Sequence, residues 1–370
     1  MNIVVTGGDG FIGSNLRVAL REAGFANVTS VDRSTSPHDL RAALTTSDFV
    51  FHLAGVNRPK DPAEFDRGNR KFTVEMCEIL KAAGRRASLA FTSSTQASLD
   101  NPYGLSKRAA EHAVKQYGTE TGARVYNFRL TNVFGKWCRP NYNSVVATFC
   151  YNILHGLPIT VSSADSPLRL VYIDDVVAAM IQPLRDATRL PGDVEVVPVY
   201  ETTIGAVASE LQRFASERSS GFVPATGVGL TRALFATFAS YMSPAEFVYP
   251  LVRHSDVRGV FAEMVKTPDS GQVSFFTANP GVTRGGHYHH TKGEKFLVVK
   301  GDARFGFRHI ITGQRHDIVV SGEESLVVET VPGWAHDVTN IGDGEMIVML
   351  WASEIFDPTR PDTITAPIAG

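Results

Sequence analysis

The sequence has few cysteines, no excess of charge of either sign and no long apolar run. Cys77, Cys138 and Cys150 make no C-x-x-C spacing, so neither a disulfide framework nor a thiolate zinc site is expected, and a reducing cytoplasm fits best. The 36 basic and 38 acidic side chains leave a net charge of -2, which gives no electrostatic reason to expect nucleic acid or an anionic membrane as partner. Stretches of about 18 uncharged apolar residues and a signal peptide's basic and apolar regions are both missing, so we expect neither a membrane span nor export.

Short apolar runs alternate with amphipathic stretches over the first half of the chain. They predict strands at Ile3–Val5, Val28–Val31, Phe49–Leu53, Leu89–Phe91 and Val125–Phe128, with helices at Glu64–Ala83 and Tyr103–Tyr117. This alternation indicates βαβ units in a Rossmann-type α/β domain with a doubly wound parallel sheet. After about residue 250 the texture changes to short strands between turns, at Lys295–Val299, Ala303–Arg308, Ser325–Thr330 and Met346–Trp351. That pattern predicts an all-β antiparallel sandwich or barrel, and we place the domain boundary at residue 243, giving domains 1–243 and 244–370.

A glycine-rich turn, Gly7-Gly8-Asp9-Gly10-Phe11-Ile12-Gly13, follows the first predicted strand and opens the first predicted helix. Its glycines let a pyrophosphate approach the backbone at a helix amino terminus, so the turn predicts a dinucleotide site. The next strand ends in Asp32 and Arg33. Asp32 suits a ribose 2'-hydroxyl, which favours NAD, whereas Arg33 suits a 2'-phosphate, which favours NADP. The sequence leaves the two cofactors in competition.

Tyr103 and Lys107 are four residues apart and therefore share one face of a predicted helix. A cation beside a tyrosine stabilises the phenolate and lowers its pKa, which makes the pair a proton donor for a carbonyl. Ser94 ends the fourth predicted strand and offers a hydroxyl to the same oxygen. The tyrosine and lysine spacing alone is common on solvated helices, but with the glycine turn it predicts a reductase site.

These segments resemble the extended short-chain dehydrogenase/reductase superfamily, in the branch that acts on nucleotide sugars. The resemblance covers roughly the first 240 residues and also rests on His52-Leu53-Ala54-Gly55, on residues 129–135 and on residues 171–176. It implies that Ser94, Tyr103 and Lys107 are catalytic, and that Asn132 and Arg169 lie along the nucleotide diphosphate. The cofactor, NADP(H) or NAD, would then be bound by Gly7, Gly10, Phe11, Ile12, Gly13, Asp32, Arg33, Leu53, Ala54, Tyr103 and Lys107.

Histidines are concentrated in the last third of the chain, which holds seven of the 11. On a strand, His287 and His289 project to one face while His290 points the other way. Glu294 follows closely and His336 comes from a later strand. Three imidazoles and a carboxylate suit a divalent metal ion, zinc first, with nickel, iron and manganese as alternatives.

The spacing around these residues, with Gly301, Pro332-Gly333 and Asn340, resembles both motifs of the cupin (jelly-roll) barrel. Residues 256–263 and 281–288 also resemble the dTDP-4-keto-sugar 3,5-epimerases, which are cupin-type barrels. That second resemblance implies that His287 removes a proton beside a ketone, and we assign to substrate binding Arg258, Glu263, Arg284 and Lys295.

The two resemblances conflict at His287, because a metal-bound histidine is not a free base. The second histidine and the glutamate favour ligation by His287. Ligation leaves the base unassigned, with Tyr288, His290 and Lys295 as weak candidates.

Across nearly its full length the chain resembles the bifunctional capsule and O-antigen enzymes of the CapF type. The most specific shared strings are residues 100–104, 134–145 and 286–292. The resemblance implies C3 epimerisation of UDP-2-acetamido-2,6-dideoxy-β-L-arabino-hexos-4-ulose in the cupin and NADPH-dependent reduction at C4, toward UDP-N-acetyl-L-fucosamine. It also implies a homodimer formed through the cupin. Epimerisation comes first, since the C–H is acidic only while the ketone is present.

Three alternatives stay open at this point. The first is a nucleotide-sugar 4-epimerase that retains NAD and uses the cupin only for structure. The second is a non-catalytic sensor of nucleotide sugar and NADP, against which Ser94, Tyr103 and Lys107 argue. The third is a reductase whose cupin metal is purely structural.

Overall fold

Two compact units make up the chain. The computed structural model describes residues 1–186, 188–219, 221–250, 253–256, 259–262, 265, 267, 271–354 and 359–368. The first unit comprises Met1–Ser144 and Leu168–Glu201, and the second comprises Val145–Pro167 and Thr202–Gly370. The segment between residues 202 and 243 therefore packs as part of the second unit. A division of the sequence itself at residue 243 stays a prediction.

The helices are α1 (Phe11–Glu22), α2 (Pro37–Thr46), α3 (Ala63–Phe65), α4 (Phe72–Ala83), α5 (Pro102–Thr121), α6 (Val145–Leu154), α7 (Ile173–Arg185), α8 (Ile204–Arg218) and α9 (Gly229–Ala239). A π-helical segment, Asp66–Lys71, joins α3 to α4, and 3-10 turns cover Thr95–Ser98 and Pro244–Phe247. Among the described residues, no helix has the length and apolar character needed to cross a bilayer.

The strands of the first half are β1 (Ile3–Thr6), β2 (Val28–Val31), β3 (Phe49–His52), β4 (Ser88–Ser94), β5 (Val125–Leu130), β6 (Asn132–Phe134), β7 (Pro167–Tyr172), β8 (Gly192–Val194) and β9 (Val199–Thr203). Those that follow are β10 (Val248–Pro250), β11 (Arg253–Asp256), β12 (Gly259–Ala262), β13 (Gln272–Ala278), β14 (Thr283–Tyr288), β15 (Glu294–Lys300), β16 (Asp302–His309), β17 (Arg315–Ser321), β18 (Leu326–Thr330), β19 (Trp334–Asn340), β20 (Met346–Ala352) and β21 (Ile364–Thr365).

A six-stranded parallel sheet, in the order β2-β1-β3-β4-β5-β8, forms the centre of the first unit. All four residues of β1 and of β3 are buried, as expected of strands covered on both faces. The strand order reverses between β1 and β3, and in doubly wound sheets ligands bind outside the carboxyl ends of the strands at such a switch point. The predicted parallel sheet is confirmed.

Helix α5, which carries Tyr103, has clear start and stop signals. The side chain of Asn101 accepts a hydrogen bond of 2.7 Å from the Gly104 N–H, and Pro102 occupies the first turn. Gly122, at φ +73°, ends the helix in the left-handed region that favours glycine. These local signals fix where Tyr103 and Lys107 lie along the helix.

The second unit contains two five-stranded antiparallel sheets, sheet A (β10-β18-β15-β20-β13) and sheet B (β17-β16-β19-β14-β21). The rings of Phe296 in sheet A and Phe305 in sheet B lie 5.6 Å apart, so the two sheets share a core. The predicted all-β carboxy-terminal domain is confirmed as this pair of sheets. Helix α8 is tied to sheet A by an ion pair of 2.7 Å between Arg218 and Glu329.

Candidate functional site

A cleft of about 480 Å³ opens at the switch point of the parallel sheet. It is lined by Gly7, Asp9, Gly10, Val31, Asp32, Arg33, Thr35, Leu40, Ala54, Gly55, Val56, Gly68 and Phe72. Five of the residues predicted to bind the cofactor are in this lining: Gly7, Gly10, Asp32, Arg33 and Ala54. Leu40 and Phe72, two apolar residues of the lining that lie far apart in sequence, were not predicted.

The glycine-rich turn passes close to the loop that follows β3. Gly7 has φ +70°, and a Cβ placed on it would come within 2.8 Å of the Ala54 amide nitrogen. Gly10 caps α1, so Phe11 and Ile12 are its first two residues. The first N–H groups of a helix have no partner within it and favour a negative charge. The turn therefore presents backbone donors to the cleft, and the binding of a pyrophosphate there stays a prediction.

Two charged side chains at the end of β2, Asp32 and Arg33, line the cleft. The Asp32 Oδ1 atom accepts hydrogen bonds from the backbone and hydroxyl of Ser34, at 2.7 and 2.6 Å. These bonds lower the pKa of the exposed Asp32 carboxyl to about 2. Among the described residues no hydrogen bond or ion pair of the Arg33 guanidinium is found.

Ser94, Tyr103 and Lys107 come together at the carboxyl end of β4. Ser94 is the last residue of β4, and its hydroxyl is close enough to the Tyr103 phenol to lower the pKa of that phenol. The buried Lys107 ammonium donates to the Thr92 carbonyl at 3.0 Å. A Cβ on Gly55, in the cleft lining, would lie 3.2 Å from the Lys107 Nζ atom. The Lys107 ammonium thus lies between the cleft lining and the carboxyl end of β4.

The pKa of Tyr103 differs from the expected direction. Burial raises it and the Ser94 hydroxyl opposes that rise only in part, so Lys107 does not produce the lowered phenol pKa that the four-residue spacing suggested. Burial also lowers the pKa of Lys107 to about 8, against the attraction of Glu111. In this state Tyr103 is a protonated phenol at neutral pH, which is the form that a proton donor requires.

A chain of buried hydrogen bonds, not foreseen from the sequence, supports this region. His52 bonds Thr6 Oγ1 through Nδ1 at 2.7 Å and Thr73 Oγ1 through Nε2 at 2.8 Å. Thr73 donates onward to the Asn69 carbonyl, and the Asn69 amide donates to Ser106 Oγ at 2.9 Å. Burial, and then the charge of Lys107, lower the pKa of His52 to about 3. A neutral His52 therefore links the strand ends to α5.

The two residues predicted along the nucleotide diphosphate are neighbours on adjacent strands. The Asn132 amide donates to the backbone carbonyl of Arg169 at 3.1 Å. The Arg169 guanidinium lies 3.5 Å from the Glu201 carboxylate, and both side chains are largely exposed. Neither residue is in the lining of the switch-point cleft.

In the second unit, His287, His289, Glu294 and His336 form a compact group, named here the His/Glu cluster. One donor atom from each side chain lies within 4.8 Å of the others. The Nε2 atoms of His289 and His336 are both 3.1 Å from Glu294 Oε2. His287 and His336 are paired residues of sheet B, whereas Glu294 comes from sheet A. The four side chains predicted as metal ligands are thus brought together between the two sheets.

The chemistry of the cluster fits a divalent ion. His289 Nε2, Glu294 Oε2 and both ring nitrogens of His336 are buried without a hydrogen-bond partner, a condition that costs about 1–3 kcal/mol for each group. Burial raises the pKa of Glu294, but His289 and His336 hold it well below its ordinary value. Burial, with His336 and His289 nearby, lowers the pKa of His287 to about 4. Charged carboxylate and neutral imidazole are the forms that ligate metals.

The candidate bases do not face the His/Glu cluster. Successive side chains of a strand alternate between faces, so Tyr288 and Lys295 point away from the sides occupied by His287 and Glu294. The ring of His290 packs edge-on against that of Tyr288, with centroids 5.5 Å apart.

The assignment of Lys295 to substrate binding is corrected on the same ground. Its buried ammonium bonds Glu329 at 2.9 Å and the Tyr249 hydroxyl at 2.8 Å, which makes it a structural ion pair. Arg284 is exposed, with its guanidinium 5.1 Å from the centre of the Phe276 ring. The other predicted substrate ligands, Arg258 and Glu263, lie outside the described residues.

Both parts of the chain match known families. Residues 3–196, just over half of the chain, match the NAD dependent epimerase/dehydratase family. Residues 254–364 match the polysaccharide biosynthesis C-terminal domain.

Similarity to individual proteins extends over the whole length. The chain is 50% identical over 368 residues to the UDP-2-acetamido-2,6-beta-L-arabino-hexul-4-ose reductase of Pseudomonas aeruginosa, covering 100% of this chain and 99% of that protein. The crystal structure of the capsular polysaccharide assembling protein CapF from Staphylococcus aureus aligns with a TM-score of 0.68 at 39% identity, over 99% of this chain and 100% of that one. The spore coat polysaccharide biosynthesis protein SpsL of Bacillus subtilis is 27% identical over 130 residues, 32% of this chain and 86% of that protein. The chain therefore belongs to the NAD dependent epimerase/dehydratase family, among the two-domain proteins of the CapF type.

Proposed function

We propose that this protein epimerises a UDP-linked 4-keto amino sugar at C3 in its β unit and then reduces the C4 ketone with NADPH in its α/β unit. The observation that carries the proposal is the presence, in one chain, of Ser94, Tyr103 and Lys107 beside a nucleotide-sized cleft and of a His/Glu cluster in a second unit. The substrate is UDP-2-acetamido-2,6-dideoxy-β-L-arabino-hexos-4-ulose, and the product leads toward UDP-N-acetyl-L-fucosamine. The name of the Pseudomonas aeruginosa relative, a reductase of such a sugar, supports this choice.

In the reductase step, the protonated Tyr103 gives its proton to the C4 oxygen while Ser94 hydrogen-bonds that oxygen. NADPH supplies the hydride. The Lys107 ammonium, held by the Thr92 carbonyl beside Gly55, binds the nicotinamide ribose. General acid catalysis of this kind contributes about 10²- to 10⁴-fold to a rate.

NADP(H) is the proposed cofactor, and the end of β2 supports it over NAD. Oδ1 of Asp32 is already used by Ser34, which makes the carboxylate a poorer partner for a ribose 2'-hydroxyl. Arg33 lines the cleft, and a guanidinium binds a phosphate through strong charge-assisted hydrogen bonds.

In the epimerase step, a base of the β unit that is not yet assigned takes the C3 proton, the C–H electron pair moves toward the ketone oxygen, and a proton is returned to C3 from the opposite face. The neighbouring ketone makes that C–H acidic because the resulting negative charge is delocalised onto oxygen. His287, His289, Glu294 and His336 hold a divalent ion, zinc first, which supplies a Lewis acid for that oxygen when bound. Arg284 offers a cation to the nucleotide diphosphate. Reduction removes the ketone, so the epimerase step precedes the reductase step.

The active form is proposed to be a homodimer joined through the β unit. Strand β13 is at the edge of sheet A, and its side chains Val273 and Phe275 are 59% and 72% exposed. An exposed apolar edge strand is a ready surface for pairing with another chain. A Phe275→Asp variant is expected to sediment as a monomer, and a persistent dimer would contradict this interface. We assign the enzyme to the cytoplasm, because Cys77, Cys138 and Cys150 form no disulfide in the part of the chain that the structure describes.

The experiment that tests the function follows both steps at once. The protein is incubated with candidate UDP-4-keto sugars in deuterated water, with and without NADPH, and the products are analysed by NMR. We expect deuterium at C3 without NADPH, and a C4-reduced, C3-inverted sugar once NADPH is added. Reduction at C4 without deuterium exchange at C3 would indicate that the His/Glu cluster has only a structural role. Interconversion at C4 without NADPH would indicate a 4-epimerase.

A further inference from the structure

The loop that follows His289, residues 290–292, is hydrogen-bonded to Asp362, which comes from a distant part of the chain. The Asp362 carboxylate accepts three consecutive backbone N–H groups, those of His290, Thr291 and Lys292, at 2.8, 2.8 and 2.9 Å. The Thr291 hydroxyl adds a fourth contact at 3.0 Å. A buried backbone N–H without a partner is costly, so this loop conformation depends on the carboxylate.

The same residue also contacts the imidazole of His289. The Nδ1 atom of His289 hydrogen-bonds the backbone carbonyl of Asp362. Because a carbonyl only accepts, Nδ1 must carry the proton, and in a neutral imidazole Nε2 is then a bare acceptor. That Nε2 atom lies 3.1 Å from Glu294 Oε2, on the cluster side of the ring. Asp362 therefore determines which nitrogen of His289 is available as a ligand.

The position of Asp362 is itself fixed by strand pairing. It lies two residues before β21, which pairs with β14 through Thr365 opposite His287 and Ile364 opposite Tyr288. The Ala366 N–H continues the contact, donating to the Gly286 carbonyl at 2.7 Å. The segment around Asp362 is thus held against the strand that supplies His287.

We propose that Asp362 is a positioning residue for the His/Glu cluster, shaping the 290–292 loop with its carboxylate and fixing the tautomer of His289 with its carbonyl. This inference rests on the proposed metal site, and it goes beyond the ligand set to a residue that contacts no metal. Partners that orient a metal-binding histidine typically change metal affinity by about 10- to 100-fold when they are removed.

The test uses the full-length protein and an Asp362→Asn variant, with Asp343→Asn as a matched control at an exposed turn. Zinc affinity is measured by competition with a chromophoric chelator. We expect Asp362→Asn, whose amide cannot accept the same N–H groups with both atoms, to bind zinc about 10- to 100-fold more weakly and Asp343→Asn to match the wild type. Unchanged affinity in Asp362→Asn overturns the inference.

A second measurement needs no variant and no metal. Long-range ¹H–¹⁵N correlation spectra of the metal-free wild type identify the protonated nitrogen of His289. We expect the proton on Nδ1, and a proton on Nε2 overturns the inference even if Asp362→Asn fails to fold. Wild-type protein that binds no divalent ion would refute the proposed metal role instead, while the tautomer would still decide the role of Asp362.

Discussion

Arg284 and His287 are three residues apart on β14 and yet project from the same face of sheet B. Arg284 pairs with Val338 and His287 with His336, and the register shifts between Gly285 and His287. Directly opposed residues share a face, and residues 336 and 338 of β19 lie on one face. The extra residue of this bulge, with Gly285 at φ +97° and Gly286 at φ +77°, places Arg284 on the face of sheet B that carries His287 and His336.

The shared face predicts a substrate-binding role for Arg284. An Arg284→Gln variant should raise the KM of the C3 exchange reaction by about 10-fold or more, since hydrogen bonds to charged groups contribute about 1.5–3 kcal/mol. Its zinc content should not change. A Lys300→Gln variant, which removes an exposed cation from β15, is the control. An Arg284→Gln enzyme with normal KM would place the diphosphate elsewhere.

Replacing Tyr103 separates the two reactions. Tyr103→Phe keeps the ring that packs 5.6 Å from Phe65 but removes the proton donor. NADPH oxidation should fall by about 10²- to 10⁴-fold, and deuterium incorporation at C3 should continue at the wild-type rate. The measurement is a parallel assay of both reactions on one preparation, and loss of both would contradict separate sites.

Replacing His336 should have the opposite effect. We expect His336→Ala to lose bound metal and C3 exchange while it still reduces an already epimerised substrate. Metal content measured by mass spectrometry, with deuterium exchange alongside, checks this. Undiminished exchange in the variant would refute a metal role.

Replacing His287 distinguishes between two roles for its imidazole, metal ligand and base. If the His287 imidazole is a metal ligand, His287→Ala should bind zinc more weakly than the wild type, as His336→Ala should. A variant that keeps full zinc affinity and loses only C3 exchange would identify His287 as the base instead.

Arg33 is expected to set the cofactor preference. Arg33→Ser should raise the KM for NADPH by about 10- to 100-fold, the loss of a charge-assisted hydrogen bond to phosphate, and leave the KM for NADH nearly unchanged. Arg21→Ser, at an exposed position near the end of α1, is the control. Equal changes for both cofactors would show that Arg33 does not bind the 2'-phosphate.

Buried His52 should make the first unit sensitive to acid. Its pKa falls from 6.5 to about 3 because burial excludes the charged form, so the unfolded chain binds a proton that the folded chain does not. This contribution to stability is present above pH 6.5 and is lost as the pH falls toward about 3. At about 1.4 kcal/mol per pKa unit, several kcal/mol are involved.

Thermal unfolding from pH 6.5 downward measures the effect. His52→Gln, although less stable overall, should lose stability with falling pH less steeply than the wild type. The exposed histidine variant His38→Gln should follow the wild-type slope. Equal slopes for all three proteins would rule out His52 as the source.

Local sequence patterns predicted much of the fold and several of the side chains that the fold brings together in each unit. The glycine turn, the apolar strand runs and the Tyr103 and Lys107 spacing all depend on neighbours within a few residues, which a sequence displays directly. The direction of the Lys295 side chain could also have been predicted from the sequence, because a residue next to Glu294 on a strand must point to the other face. Its identity as a cation led to the wrong assignment.

The rest depends on contacts between distant residues. Asn69 contacts helix α5 through Ser106, 37 residues away, and Asp362 contacts His289 across 73 residues. The bulge at Gly285 is defined by the way β14 pairs with β19. No short-range pattern contains this information, so folding of the chain had to supply it.

The pairing of Asp362 with the 290–292 loop sets an order of events during synthesis. A ribosome adds about 5–20 residues per second, so roughly 4–15 seconds separate the appearance of His289 from that of Asp362, given the 73 residues between them. At the start of that interval the nascent chain contains His287 and His289 but not yet His336. Throughout the interval it lacks Asp362, which holds the 290–292 loop in the folded protein. The final geometry of the His/Glu cluster is therefore reached only after Asp362 has been made, and a cation that met the chain earlier would find a looser set of side chains.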